Sequence, residues 1–237
     1  YWESKINLST HGTTIYTSNL NVFSIASNKS PDISLQICRW TQHQSYIASK
    51  ICNTMKDIGI ASALTEGLAD KYDEGDVLVT PPLSISASGE HAGFPGTLSI
   101  GTDVFEQVVL ELVRSADWSG GVVLVNGHGG NRMPVERAVK VLHAEGRKVL
   151  SWWPRIAGGD AHAGDTETSM MLAIAPDLVR MHRAEVGVTA PLRDLIEEIR
   201  DGGVHSVSRN GVLGDPLRAS ALVGRSRLGQ WCSPPCR

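Results

Sequence analysis

No stretch of apolar residues in this sequence approaches the ~20 that a bilayer-spanning helix needs. No basic-then-apolar leader of the secretory kind opens it. A cytoplasmic protein with no membrane partner is therefore the expectation. Charge of one sign is also missing. Lys and Arg number 22 and Asp and Glu 25, a net charge of −3 over 237 residues. That balance offers no electrostatic footprint for nucleic acid. Cysteine is scarce: Cys38, Cys52, Cys232 and Cys236 lie near the two ends. A disulfide framework is not expected, and Cys232-x-x-x-Cys236 has no partner cluster with which to hold zinc. Phosphate-loop signatures (Gly-x-Gly-x-x-Gly, or a Gly-rich turn ending in Lys-Ser/Thr) are absent. So are internal repeats and low-complexity linkers.

What is present fits one α/β domain with a well-buried core: 41% hydrophobic and 20% charged residues. Residues 1–50 are rich in Ser, Thr, Asn and Ile and show little helical or strand periodicity. They are expected to be an atypical segment, of the kind a shifted reading frame leaves, and not to form a first sheet strand. Residues 51–222 form the expected domain, and 223–237 read as an atypical tail in which the last helix breaks off. Within the domain, Asp76–Thr80, Gly121–Asn126 and Lys148–Trp153 read as strands. Phe105, Val108, Val109, Leu112, Val113 and Ala116 follow helical spacing, with Thr102 as a candidate cap. Val135, Ala138, Val139 and Leu142 mark a second helix that Gly146 can terminate. Further helices are expected over 165–174 and 191–200. Alternating strands and helices imply a three-layer αβα fold with a mostly parallel central sheet. Active sites of such sheets collect at the carboxyl ends of the strands.

Three segments fall near that edge. Asn126-Gly127-His128-Gly129-Gly130-Asn131 follows a buried strand directly. Its glycines allow close backbone approach, and His128 can reach a metal. In the second segment, 159–169, His162 precedes a helix and Glu167 lies in its first turn. They supply a proton-transfer group and a hard oxygen ligand; Asp165 or Thr166 is the candidate cap. The third, 86–97, is a Gly-rich loop. In it Glu90 and His91 either act on substrate or order the loop. Ser88, Gly89, Phe94 and Gly96 can line a pocket whose backbone amides face an acyl oxygen. Trp152 and Trp153 end a strand at the same edge; one suits the core and the other, Trp153, a pocket wall.

Taken together, SGEHAGFPGTLSIGT, VNGHGGN, GDAHAGDTETS and NGVLGDP resemble the creatininase family, and within it the branch associated with mycofactocin. The resemblance covers roughly residues 76–220. It implies a metal-dependent amide hydrolase with two divalent cations per subunit (zinc, manganese or iron), working as a homo-oligomer. The branch implies removal of a C-terminal dipeptide from a small peptide; the wider family also takes small cyclic amides. His128, Glu167 and Asp57 are then the expected metal ligands, and His162, Glu90 and His91 the catalytic set.

The family's Glu-x-His-Gly-x-His motif is missing. Measured from the helix that follows it, the bridging aspartate falls on Asp57. The glutamate and histidine fall on Tyr46 and Ala48, which cannot bind metal. Ser9-Thr10-His11-Gly12 and Thr41-Gln42-His43-Gln44 are partial look-alikes without the glutamate. A catalytically impaired or truncated homologue is therefore one alternative, and a creatinine amidohydrolase or related deformylase is the other. Creatinine hydrolases also carry a glutamate two residues after the ligand histidine. Here that place is Gly130, which speaks against creatinine as substrate.

Overall fold

The structure is a computed structural model. It describes residues 2–6, 14–18, 23–24, 33–37, 52–69, 77–94, 97–154, 156 and 158–232, with side chains described within 59–67 and from 77 to 230. Strands β1 (Trp2–Ile6), β2 (Thr14–Ser18), β3 (Phe23–Ser24) and β4 (Ile33–Ile37) precede helix α1 (Cys52–Ala69) and strand β5 (Leu78–Val79). Then come α2 (Thr102–Ser115), β6 (Val122–Asn126), α3 (Arg132–Ala144), β7 (Val149–Trp152) and α4 (Asp165–Ile174). Helices α5 (Leu192–Gly202), α6 (Val204–Val207) and α7 (Ala221–Cys232) follow.

The centre of the fold is β6. It pairs in parallel with β7 on one side and with β2 on the other. The β6–α3–β7 unit is the expected crossover. The strand at 14–18 was not expected, because Ser- and Thr-rich strands carry no clear alternation of apolar residues.

Two-residue alternation along β6 builds two cores. Val122 and Leu124 pack with Phe105, Val109 and Val113 of α2 and with Val135, Ala138 and Leu142 of α3. Val123 and Val125 face the other way, toward Val77, Val79 and Trp152. Trp152 in turn joins Ile60 and Leu64 of α1 and Met170 and Met171 of α4. Helices thus cover both faces of a sheet that is parallel along β2, β6 and β7, with the short β3 antiparallel to β2 and β6.

Local chemistry differs from the expected caps. Gly101, at φ 78°, occupies the N-cap of α2, and Thr102 is already helical. Pro134 is accepted in α3 because it lies in the first turn, where an N–H has no intrahelical acceptor. Gly146 ends that helix as expected, at φ 80°. The last helix does not break off at Arg225 but runs to Cys232. It is tied to α4 by Ser220 N–H donating to Ser169 Oγ (3.0 Å) and by Arg227 paired with Asp165 (2.7 Å). No helix among the described residues is long and apolar enough to cross a membrane.

Candidate active site

His128 stands just beyond the carboxyl end of β6, buried to 6% exposure. Two asparagines of its own hexapeptide hold it there. Asn126, fully buried, accepts from the His128 N–H (3.2 Å) and donates Nδ2 to the His128 carbonyl (2.9 Å). Asn131 donates to Asn126 Oδ1 (3.3 Å) and accepts the Ala87 N–H (3.1 Å). The hexapeptide is therefore braced internally and fastened to the 86–94 loop. Neither asparagine was singled out by sequence, although buried amides flanking a Gly-rich turn are a signal for such bracing.

The loop places Glu90 and His91 in a short 3-10 turn, Gly89–His91. Glu90 Oε1 lies 2.9 Å from His128 Nε2 and 3.7 Å from His91 Nε2. Ser88 Oγ is 3.2 Å from the same His128 nitrogen. Burial pushes the Glu90 carboxyl up. The hydrogen bond from His128 and the positive charge of His128 and His91 outweigh it and hold the group below the usual carboxylate value.

His91 is the middle of three imidazoles. Its ring centroid lies 5.9 Å from that of His128 and 4.8 Å from that of His162. His162 Nδ1 lies 3.9 Å from Glu167 Oε2, and Glu167 also accepts the Ala163 N–H at 2.5 Å. Glu90, His128, His91, His162 and Glu167 thus form a continuous row of titratable groups. Asp57 belongs to α1, but its side chain lies outside the described residues, as do His11, His43 and Gly96.

A cavity of about 220 Å³ adjoins this row, lined among others by His128, Glu167, Asp160, Asn126 and Trp153. Of the two tryptophans, Trp152 packs in the core and Trp153 forms the wall. Two expectations for the loop need correction. Phe94 does not line this cavity; it packs with Ile199, Val204 and Leu213. The amides of Ser88, His91, Ala92 and Phe94 do not face an acyl oxygen, because each already donates within the loop or to Ser99 Oγ.

His162 is positioned from two directions. Its backbone exchanges hydrogen bonds with Leu213, N–H to carbonyl at 3.2 Å and back at 2.8 Å. This is what the 210–216 segment contributes. Asp160 accepts the Thr166 N–H at 3.1 Å and so caps α4 from outside the helix. The expected caps, Asp165 and Thr166, are helical residues instead. A Cβ on Gly164 or Gly214 would run into Asp160, so both glycines leave it room. Asp160→Ala is expected to cost about 0.5–2 kcal/mol, as loss of an N-cap does. An unchanged urea midpoint would show that the carboxylate caps nothing.

These donors are of the kinds that bind zinc or manganese, imidazole nitrogen and carboxylate oxygen. They fit a divalent cation in type. Among the described residues, no three His, Cys, Asp or Glu side chains form a group that could hold one.

The creatininase model (creatinine amidohydrolase) matches residues 51–233, far more than half the chain. The chain belongs to the creatininase family. Within it, the chain is 45% identical over 173 residues to the mycofactocin precursor peptide peptidase of Mycolicibacterium smegmatis, covering 71% of this chain and 70% of that one. It is 40% identical over 205 residues to the protein of that name from Mycobacterium tuberculosis (strain ATCC 25618 / H37Rv), covering 83% and 79%. Among solved structures, a manganese creatininase superposes with TM-score 0.59 at 23% identity, over 75% of this chain and 79% of that one. A mutant creatininase of Zn-Zn type superposes with TM-score 0.56 at 25% identity, over 75% and 78%. The α/β architecture is that of the creatininases.

Proposed function

We propose that this chain is a mycofactocin precursor peptide peptidase, a metal-dependent hydrolase that releases a C-terminal dipeptide. The observation that carries the reading is the row of imidazoles and carboxylates at the carboxyl end of β6, in a chain 40–45% identical to relatives bearing that name. Membership of the family and the names of these relatives make it a hydrolase of amide bonds.

In this reading His128, Glu167 and Asp57 hold the cation. When bound, the cation supplies Lewis-acid polarisation of the scissile carbonyl and an attacking water acidic enough to react near neutral pH. The remaining work falls to protein groups. His162 delivers a proton to the leaving amine nitrogen as the C–N bond breaks, since an imidazole titrates near neutral pH. Its N–H-to-carbonyl ladder with Leu213 fixes the ring's starting point. Trp153 offers an apolar wall for a peptide side chain, with Ser88 and Gly89 contributing from the loop beside His128. The absence of a side chain at Gly130 supports a peptide over creatinine. A cytoplasmic homo-oligomer completes the proposal, supported by the family resemblance.

The test is incubation of the purified zinc- or manganese-loaded protein with the precursor peptide, followed by mass spectrometry, with creatinine as control. A product shorter by its two C-terminal residues is expected, with creatinine unchanged. An intact peptide from protein that binds metal would defeat the peptidase reading. Protein that binds no metal would be an impaired homologue.

A further inference from the structure

Gly130 lies two residues beyond His128 and has no side chain of its own. The space a side chain there would enter is filled. A Cβ on Gly130 would come within 2.5 Å of Glu90 Oε1, 2.7 Å of Glu90 Oε2 and 2.6 Å of the Ala87 carbonyl. Real Cβ atoms do not make such contacts. One of the three close atoms is backbone, tied down because the Ala87 N–H is bonded to Asn131. A side chain at 130 and the carboxylate of Glu90 therefore exclude each other. Neighbouring Gly129 is different: a Cβ there would meet nothing within 4 Å.

The carboxylate that fills this space is directed at His128. Glu90 Oε1 and His128 Nε2 are 2.9 Å apart. Two donors about 2.1 Å from a common ion lie about 3 Å apart at right angles and about 3.4 Å apart in a tetrahedron. The pair, hydrogen-bonded to each other here, is close to the spacing that adjacent ligands of one cation need.

We infer that Glu90 is a metal ligand beside His128, delivered from the 86–94 loop into the space that glycine at 130 leaves open. This rests on the metal-dependent reading above and deepens it. Glu90 moves from the catalytic set to the ligand set, and Gly130 keeps clear the space its carboxylate occupies. The pairing also gives the loop a second task. Besides bordering the substrate, it must stay closed for the cation to be held.

The test uses the full chain with zinc(II) and cobalt(II). Zinc affinity is measured by competition with a chelator for the wild type, Glu90→Gln, Gly130→Ala and Gly129→Ala. Circular dichroism establishes that each is folded. Glu90→Gln and Gly130→Ala are expected to weaken zinc by roughly 10–100-fold or more, the range that disturbing even an outer partner produces. Gly129→Ala should bind zinc as the wild type does. A spectrum then separates ligation from mere orientation of His128. Glu90→Cys loaded with cobalt(II) should show a thiolate-to-cobalt charge-transfer band in the near ultraviolet, which only a directly bound sulfur gives.

Wild-type affinity in a folded Gly130→Ala, or no charge-transfer band in cobalt-loaded Glu90→Cys, overturns the inference. Both results leave the peptidase reading standing if the wild type binds zinc and trims peptide. A wild type that binds neither zinc nor cobalt removes the metal reading and this inference with it.

Discussion

His128→Ala is expected to release the bound cation and to take peptide cleavage below detection with it. The imidazole contacts Glu90 and Ser88 on one side and lines the cavity with Glu167 on the other. Truncation removes a metal donor. It also leaves Glu90 without the neighbour that orients its carboxylate, so two donors are weakened by one substitution. The backbone should survive, because Asn126 holds residue 128 through its N–H and carbonyl and not through its ring. Elemental analysis and a cleavage assay on the same preparation measure the outcome. Full metal content in His128→Ala would mean that the ring is not a ligand.

The second large effect separates proton transfer from metal binding. His162→Ala is expected to lower turnover by roughly 10²–10⁴-fold, the usual share of general acid–base catalysis. Metal content and KM should change little. The distinction is a demanding one, because His162 Nδ1 lies only 3.9 Å from Glu167, an expected ligand. Proximity alone would allow either role. Position argues for proton transfer: His162 comes from the loop ahead of α4 and stacks beside His91, away from the Glu90–His128 pair. If the variant lost its cation as well, His162 would have to be counted among the ligands. A pH–rate profile adds a readout that a packing defect would not give. The limb belonging to the imidazole should disappear in the variant.

Much of the frame was legible because periodicity follows burial. The run 122–125 is apolar at every position because both faces of β6 are covered, and the helical spacing in 105–116 and 135–142 marks the sides that meet it. The site was legible where one segment carries its own chemistry, as His128 and the His162–Glu167 pair do. It was not legible where function arises between segments. Nothing in the order of residues says that Glu90 reaches over Gly130, or that Asp160 caps a helix it does not begin. Both depend on missing side chains at glycines, which composition counts as flexibility and the fold uses as room. Four loop amides are a related case: a Gly-rich loop looks available for binding, yet those of Ser88, His91, Ala92 and Phe94 are engaged within the loop or at Ser99.

The two-way backbone exchange between His162 and Leu213 has a consequence for how the protein comes into being. On the ribosome, β6, the His128 loop and α3 are exported well before residue 213. They can nucleate the sheet through contacts close in sequence, which form fast. The backbone of His162 is held differently, by a residue far along the chain. Its partner is made later, and the loop closure that unites the two carries a larger entropy cost than the local contacts around β6. Assembly of the reactive centre is thereby ordered in time: local contacts can place the imidazole at 128 first, and the backbone at 162 is fixed only once residue 213 has been made.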